Sequence, residues 1–144
     1  MPHPFPHVYE VKLQRDKPGL ATITDANAAP IQAGPPVQFD GEPGYFSPET
    51  LLMSSVSLCF MTTLESLARR QNLTIKDYRS EILGTLEKTK DGLVFTSIKL
   101  IVKIDADPSQ ADAINGLIPT AKKYCIISNA LKIPVEVALQ VAQS

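Results

Sequence analysis

The sequence holds no tryptophan, two cysteines and two histidines, and both histidines, His3 and His7, stand among the first seven residues. Each shortage removes a class of chemistry. Two cysteines do not make the disulfide framework of a small secreted domain. With no Cys-x-x-Cys spacing and no histidine in the body of the chain, no closed zinc-type site is expected. The same lack removes Ser-His-Asp and Cys-His nucleophile arrangements. Charge is scarce as well: 20% of residues are charged, and 14 basic against 15 acidic side chains leave a net −1. No basic block or basic–aromatic stripe occurs, so nucleic acid is not an expected partner. No apolar run reads as a membrane span, so no membrane partner is expected either. Met1 to His7 has neither signal-peptide nor transit-peptide character and reads as a loose arm, which makes a cytoplasmic location the expectation.

What is present is a chain of 144 residues, 44% of them hydrophobic, long enough for one globular domain over residues 1–144. It is organised around one stretch, Ser47 to Arg70, which predicts a long helix. Ser47 suits the N-cap and Pro48 the first helical position, where a missing N–H costs nothing. Glu49 adds negative charge at the positive end of the helix dipole. Leu52, Val56, Cys59, Thr63 and Leu67 follow a three-to-four spacing and predict the buried stripe. The remaining face carries Ser54, Ser55, Ser57 and Thr62, with charge returning at Glu65, Arg69 and Arg70. So small and uncharged a face predicts a helix covered on most sides.

Before this helix, Val8–Leu13 predicts a strand, 14–19 a turn, Leu20–Thr24 a strand, and 25–36 a loop with a short strand near Ile31. Val37–Phe39 predicts another strand, and Asp40 to Gly44 a turn. After it, Tyr78–Lys88 and Leu93–Ile104 predict a hairpin closed by Asp91-Gly92, with Ile98, Leu100, Val102 and Ile104 sharing a face. Asp107-Pro108 opens a second helix with the stripe Ala111, Ile114, Leu117, Ile118 and Ala121, which Pro119 should kink or interrupt. Cys125–Leu131 predicts a short helical segment, and Ile133 to Val141 a last strand. Strands, helix, hairpin, helices and strand make an α+β domain.

A cysteine on a helix face is ordinarily a small core hydrophobe. Cys125, in Lys122-Lys-Tyr-Cys-Ile-Ile-Ser-Asn129, falls at a junction of helical segments, where a free helix N-terminus would favour its thiolate. The chemistry left open to two such thiols is redox: one becomes a sulfenic acid, the other condenses with it. The residues alone leave inert core cysteines and a redox pair both standing.

Phe39-Asp-Gly-Glu-Pro-Gly44, the run from Ser47-Pro-Glu to Leu58-Cys-Phe-Met61, and Lys122-Lys-Tyr-Cys-Ile-Ile-Ser-Asn-Ala-Leu131 together resemble the OsmC/Ohr family of osmotically inducible and organic hydroperoxide resistance proteins. The likeness runs from about Tyr9 to Val141. It implies an OsmC-like fold of antiparallel sheets around a long helix, and an interlocked homodimer with active sites at its interface. It also implies reduction of organic hydroperoxides by thiols, with Cys59 attacking and Cys125 resolving. Glu49 matches the Glu of the family's Asn-Pro-Glu segment. No metal or organic cofactor is implied; the partners are the hydroperoxide and an external dithiol reductant, for example of the lipoyl type. Ile126 replaces a frequent proline, and Gln38 stands where one branch has an arginine. Arg15 is in a setting similar to the other branch's arginine, but also reads as an ordinary exposed turn residue. A cation is needed, because Cys59 is about three turns into its helix, beyond useful reach of the dipole. Glu49 and Cys59, ~15 Å apart along one helix, would meet at one site if two chains' helices ran antiparallel. Rival readings are a non-enzymatic OsmC-like protein binding an apolar ligand in the dimer groove, and an acyl-thioester hydrolase using Glu49.

Overall fold

A computed structural model describes residues 3–143. The residues up to Leu51 form one unit and those from Leu52 onward a second.

The first unit is a three-stranded antiparallel sheet in the order β1 (Lys12–Lys17), β2 (Leu20–Asp25), β3 (Ala28–Ala33). β1 starts later than the expected Val8. Lys12 already pairs with Thr24 near the end of β2, so no strand is there to oppose residues 8–11. Arg15 therefore sits on a strand, paired with Ala21, and not in a turn. The expected strand at Val37–Phe39 is a 3₁₀ turn. Pro35 and Pro36 offer no N–H to a ladder. The chain instead closes on the Pro36 carbonyl, which accepts from the amides of Phe39 (2.9 Å) and Gly41 (3.0 Å). Gly41 is obligatory there, since a β-carbon would lie 1.8 Å from the Pro35 oxygen. The described arm residues 3–7 form no helix or strand; residues 1 and 2 of the expected arm lie outside the described residues.

α1 (Pro48–Arg70) starts as expected. The Ser47 hydroxyl accepts from the Thr50 amide (3.2 Å) while the Thr50 hydroxyl accepts from the Ser47 amide (2.8 Å), a capping box with threonine in the glutamate position. At the other end Asn72 is left-handed (φ 56°) and the Leu73 amide reaches back to the Ala68 carbonyl (2.8 Å), closing the helix. The buried side of α1 is Met53, Val56, Phe60, Leu64 and Ala68. The expected stripe shares only Val56 with it; Leu52, Cys59, Thr63 and Leu67 are half-buried on its border. The larger Met53 and Phe60 take the centre, which turns the helix by about one residue. A second expectation is also corrected. By length and composition α1 is apolar enough to cross a membrane. Its serines and threonines interrupt any visible apolar run without adding charge. Among them, the Thr63 hydroxyl donates to the Cys59 carbonyl (2.7 Å) and the Ser55 hydroxyl to that of Leu52 (2.7 Å).

The second unit carries a sheet in the order β4 (Asp77–Thr89), β5 (Gly92–Ala106), β6 (Val135–Gln143). β4 and β5 are the expected hairpin, with Gly92 at φ 98°. A bulge between Thr85 and Leu86 shifts the alternation beyond it. β6 runs parallel to β5, so the chain must cross over between them. It does so through α2 (Ala111–Asn115), α3 (Ile118–Tyr124) and α4 (Ile126–Asn129). Pro119, in the first turn of α3, marks the expected interruption. Asp107 does not cap α2: its carboxylate accepts from the hydroxyl (2.7 Å) and amide (2.9 Å) of Ser109, which lower its pKa in that order. Ile98, Leu100, Val102, Ile104 and Ala106 on the central strand, the buried side of α1, and Ile114, Leu117, Ala121 and Cys125 form one core.

Candidate active site

Cys59 is placed by α1 at the border of the core, half-buried, between the buried Val56 and Phe60. Cys125 is placed by the break between α3 and α4, in extended backbone (φ −68°, ψ 104°), and is fully buried. The break lets its side chain turn inward while Lys122, Lys123 and Tyr124 remain exposed. The two thiols are 66 residues apart in the chain, yet Cys59 packs against the core that holds Cys125 and is near enough to raise the pKa of its thiol. Both are free thiols. The Ser128 hydroxyl donates to Cys125 Sγ at 3.1 Å.

Burial raises the Cys125 pKa. The hydroxyl and amide of Ser128 offset part of this, and Cys59 raises it further. The expected help from a helix N-terminus is thus outweighed: α4 is a single turn, and desolvation of a fully buried thiolate dominates. At neutral pH Cys125 is a protonated thiol. Because its folded pKa is raised, the protonated form stabilises the fold below the unfolded thiol's pKa, and this is lost as pH rises through the folded value. In a Cys59→Ser chain, iodoacetamide should alkylate Cys125 with a pH midpoint above the ~8.5 of an ordinary thiol. A midpoint below that would contradict the burial argument.

Glu49 stands in the first turn of α1, ten residues before Cys59, and its Oε1 is buried with no hydrogen-bond partner. Dipole capping explains a carboxylate at this position but not a buried, unpaired oxygen, which calls for a donor. Arg15 is exposed on β1 of the first unit, whereas both cysteines belong to the second. The structure therefore joins Cys59 to Cys125 and leaves Glu49 along the helix. Ser128 was not singled out by sequence reasoning, although a serine three residues after a cysteine at a helix start is a readable signal. Tyr78 was read only as the start of a strand. Its hydroxyl is buried; burial and then the charge of Glu65 push its pKa up, and the hydroxyl of Ser80 offsets part of this. Among the described residues, no three His, Cys, Asp or Glu side chains group as metal ligands.

The sequence profile described as "OsmC-like protein" matches residues 40–140. Over 109 residues, 73% of each chain, the sequence is 26% identical to the uncharacterized protein YmaD of Bacillus subtilis. The fold is similar to that of an OsmC-like protein from Mycoplasma pneumoniae, with a TM-score of 0.82 at 18% identity over 96% of this chain and 100% of the other. It is also similar to the organic hydroperoxide resistance protein OhrB of Bacillus subtilis, with a TM-score of 0.65 at 24% identity over 94% and 98% of the two chains.

Proposed function

The chain belongs to the family of OsmC-like proteins, and from that footing we propose that it is a two-cysteine thiol peroxidase for organic hydroperoxides. The observation that carries this reading is the pairing of a half-buried thiol, Cys59, with a fully buried one, Cys125, from distant parts of the chain. The name of the OhrB neighbour agrees with it. In the first step the Cys59 thiolate attacks the hydroperoxide oxygen remote from carbon. The O–O bond breaks, the alcohol leaves with one proton, and Cys59 becomes a sulfenic acid. In the second step Cys125 attacks that sulfur; an S–S bond forms, the S–O bond breaks, and water leaves. An external dithiol, such as a reduced lipoyl group, then reduces the disulfide and is itself oxidised.

Glu49 and Arg15 are assigned to the first step. A guanidinium favours the Cys59 thiolate, and its fork fits the unpaired Glu49 oxygen. Glu49 and Cys59 are ~15 Å apart along their own helix, so the reading includes a homodimer with antiparallel α1 helices, each Cys59 beside the partner's Glu49. The test is consumption of cumene hydroperoxide with dihydrolipoamide as reductant. Catalytic turnover that depends on both reagents is expected. A chain that consumes no peroxide, yet retains an apolar ligand, would replace this reading with the binding-protein alternative.

A further inference from the structure

Each cysteine is followed at the third position by a hydroxyl side chain, Thr62 after Cys59 and Ser128 after Cys125, and the two hydroxyls do different things. The Thr62 hydroxyl donates to the Cys59 carbonyl at 3.1 Å, as the Ser55 hydroxyl does to the Leu52 carbonyl at 2.7 Å. This is the ordinary use of such a residue in a helix, where a hydroxyl finds the carbonyl one turn back. Ser128 has the same kind of carbonyl behind it: the Cys125 oxygen accepts from the Asn129 amide at 3.1 Å. Its hydroxyl passes that oxygen by and donates to Cys125 Sγ at 3.1 Å. The backbone explains how. Cys125 stands between two helices at ψ 104°, so its side chain is freed from the helical direction and comes within reach of residue 128. The Asn129 side-chain amide donates to the Lys123 carbonyl at 2.9 Å and spans the break. A neutral thiol is a weaker acceptor than a carbonyl. A hydroxyl given to sulfur gains most when that sulfur is charged, since hydrogen bonds to ionised groups are roughly twice as strong as neutral ones.

We propose that Ser128 is a catalytic residue of disulfide closure: its hydroxyl holds the charge of the Cys125 sulfur while that sulfur attacks Cys59. This rests on the two-cysteine cycle above. The Cys125 thiol first gives up its proton, and the Ser128 O–H stays on the sulfur while it is a thiolate. The sulfur's electron pair then forms the S–S bond, the S–O bond of the Cys59 sulfenic acid breaks, and the departing hydroxide takes up a proton and leaves as water. Ser128 keeps its own proton throughout. The same hydroxyl serves the return step. When the external dithiol attacks the bridge at Cys59, the more accessible sulfur, Cys125 is the leaving thiolate, and a donor that favours its charge speeds its departure. Thr62, whose hydroxyl is on a carbonyl, gives Cys59 no such help.

The experiment follows the NMR shift of the Cys125 β-carbon with pH in a Cys59→Ser chain, with Ser128 intact, with Ser128→Ala and with Ser128→Thr. The titratable side chains packed on the same core are Cys59 from α1 and Tyr78 from β4. The first is serine in this chain, and the second, its pKa raised by burial and then by Glu65, stays protonated. Loss of one hydrogen bond to a charged sulfur should raise the Cys125 pKa by about one unit, roughly a tenfold fall in thiolate at a fixed pH. Ser128→Thr keeps a hydroxyl and should titrate like the parent. In the chain with both cysteines, Ser128→Ala should slow disulfide closure after a peroxide pulse by roughly threefold, since the scarcer thiolate is also the more nucleophilic one. The rate of Cys59 oxidation should not change. A serine that only ties down α4 would move the thermal midpoint and leave the titration where it was. A Cys125 pKa that Ser128→Ala does not move, or that Ser128→Thr moves as far, overturns the proposal whether or not the chain is a peroxidase, because the titration needs no peroxide. A raised pKa with slowed closure upholds it. A raised pKa in a chain that forms no disulfide with peroxide removes the cycle, and the catalytic role of Ser128 with it.

Discussion

Cys59→Ser should abolish cumene hydroperoxide turnover, a loss on the order of 10³-fold or more, because a serine hydroxyl cannot supply the nucleophile at neutral pH. Cys125→Ser should behave differently. With one equivalent of peroxide it should not turn over but hold Cys59 as a sulfenic acid that dimedone labels, and a second equivalent should drive it to the sulfinic acid. The wild-type chain should show one Cys59–Cys125 bridge within a single chain by mass spectrometry. The physical basis is the placement of the thiols. Cys59 has partial access to solvent, while Cys125 has none and belongs to the core against which Cys59 packs. A fully buried thiol does not meet peroxide first, but it protects the oxidised Cys59. Turnover surviving in Cys59→Ser, or bridges only between chains, would sink the assignment.

Leu58→Asp should prevent the proposed homodimer from forming and, with it, the folded chain. Leu58 lies on α1 roughly opposite the buried Val56 and Phe60 and is 59% exposed in the single chain. From Thr50 to Leu64 the helix carries no charged residue, so this face has little of what holds a helix in water. The first unit points the same way. Among its described residues the buried apolar side chains are Leu20 and Ala33, while Val8, Tyr9, Val11, Leu13 and Ile31 are exposed. A three-stranded sheet with so little buried apolar surface does not sustain itself. In the proposed homodimer a second copy would supply the missing burial. An aspartate there would leave an unpaired carboxylate in the interface at a cost of several kcal/mol, comparable with the ~5–15 kcal/mol stability of a whole domain. Sedimentation equilibrium at micromolar concentration, with helical circular dichroism followed alongside, should show a wild-type dimer and an unfolded or aggregated variant. A folded wild-type monomer would contradict the reading.

Periodicity and punctuation by themselves determined α1 with its Ser47 cap, the hairpin with its inward row Ile98, Leu100, Val102 and Ile104, and the break at Pro119. These are local properties: a cap, a turn or a missing N–H acts within a few residues. Strand ends were less legible, because β1 is bounded by where its partner stops and not by its own residues. The rotation of α1 was invisible because both of its apolar stripes obey the same spacing, and only the sheet beneath selects Met53 and Phe60 over Leu52 and Cys59. The nearness of Cys59 to Cys125, the raised pKa of Cys125, and the unpaired oxygen of Glu49 were decided by tertiary structure alone. Each depends on what lies beside a group in space, and burial, which sets the cost of a charge, is not a property of any one residue.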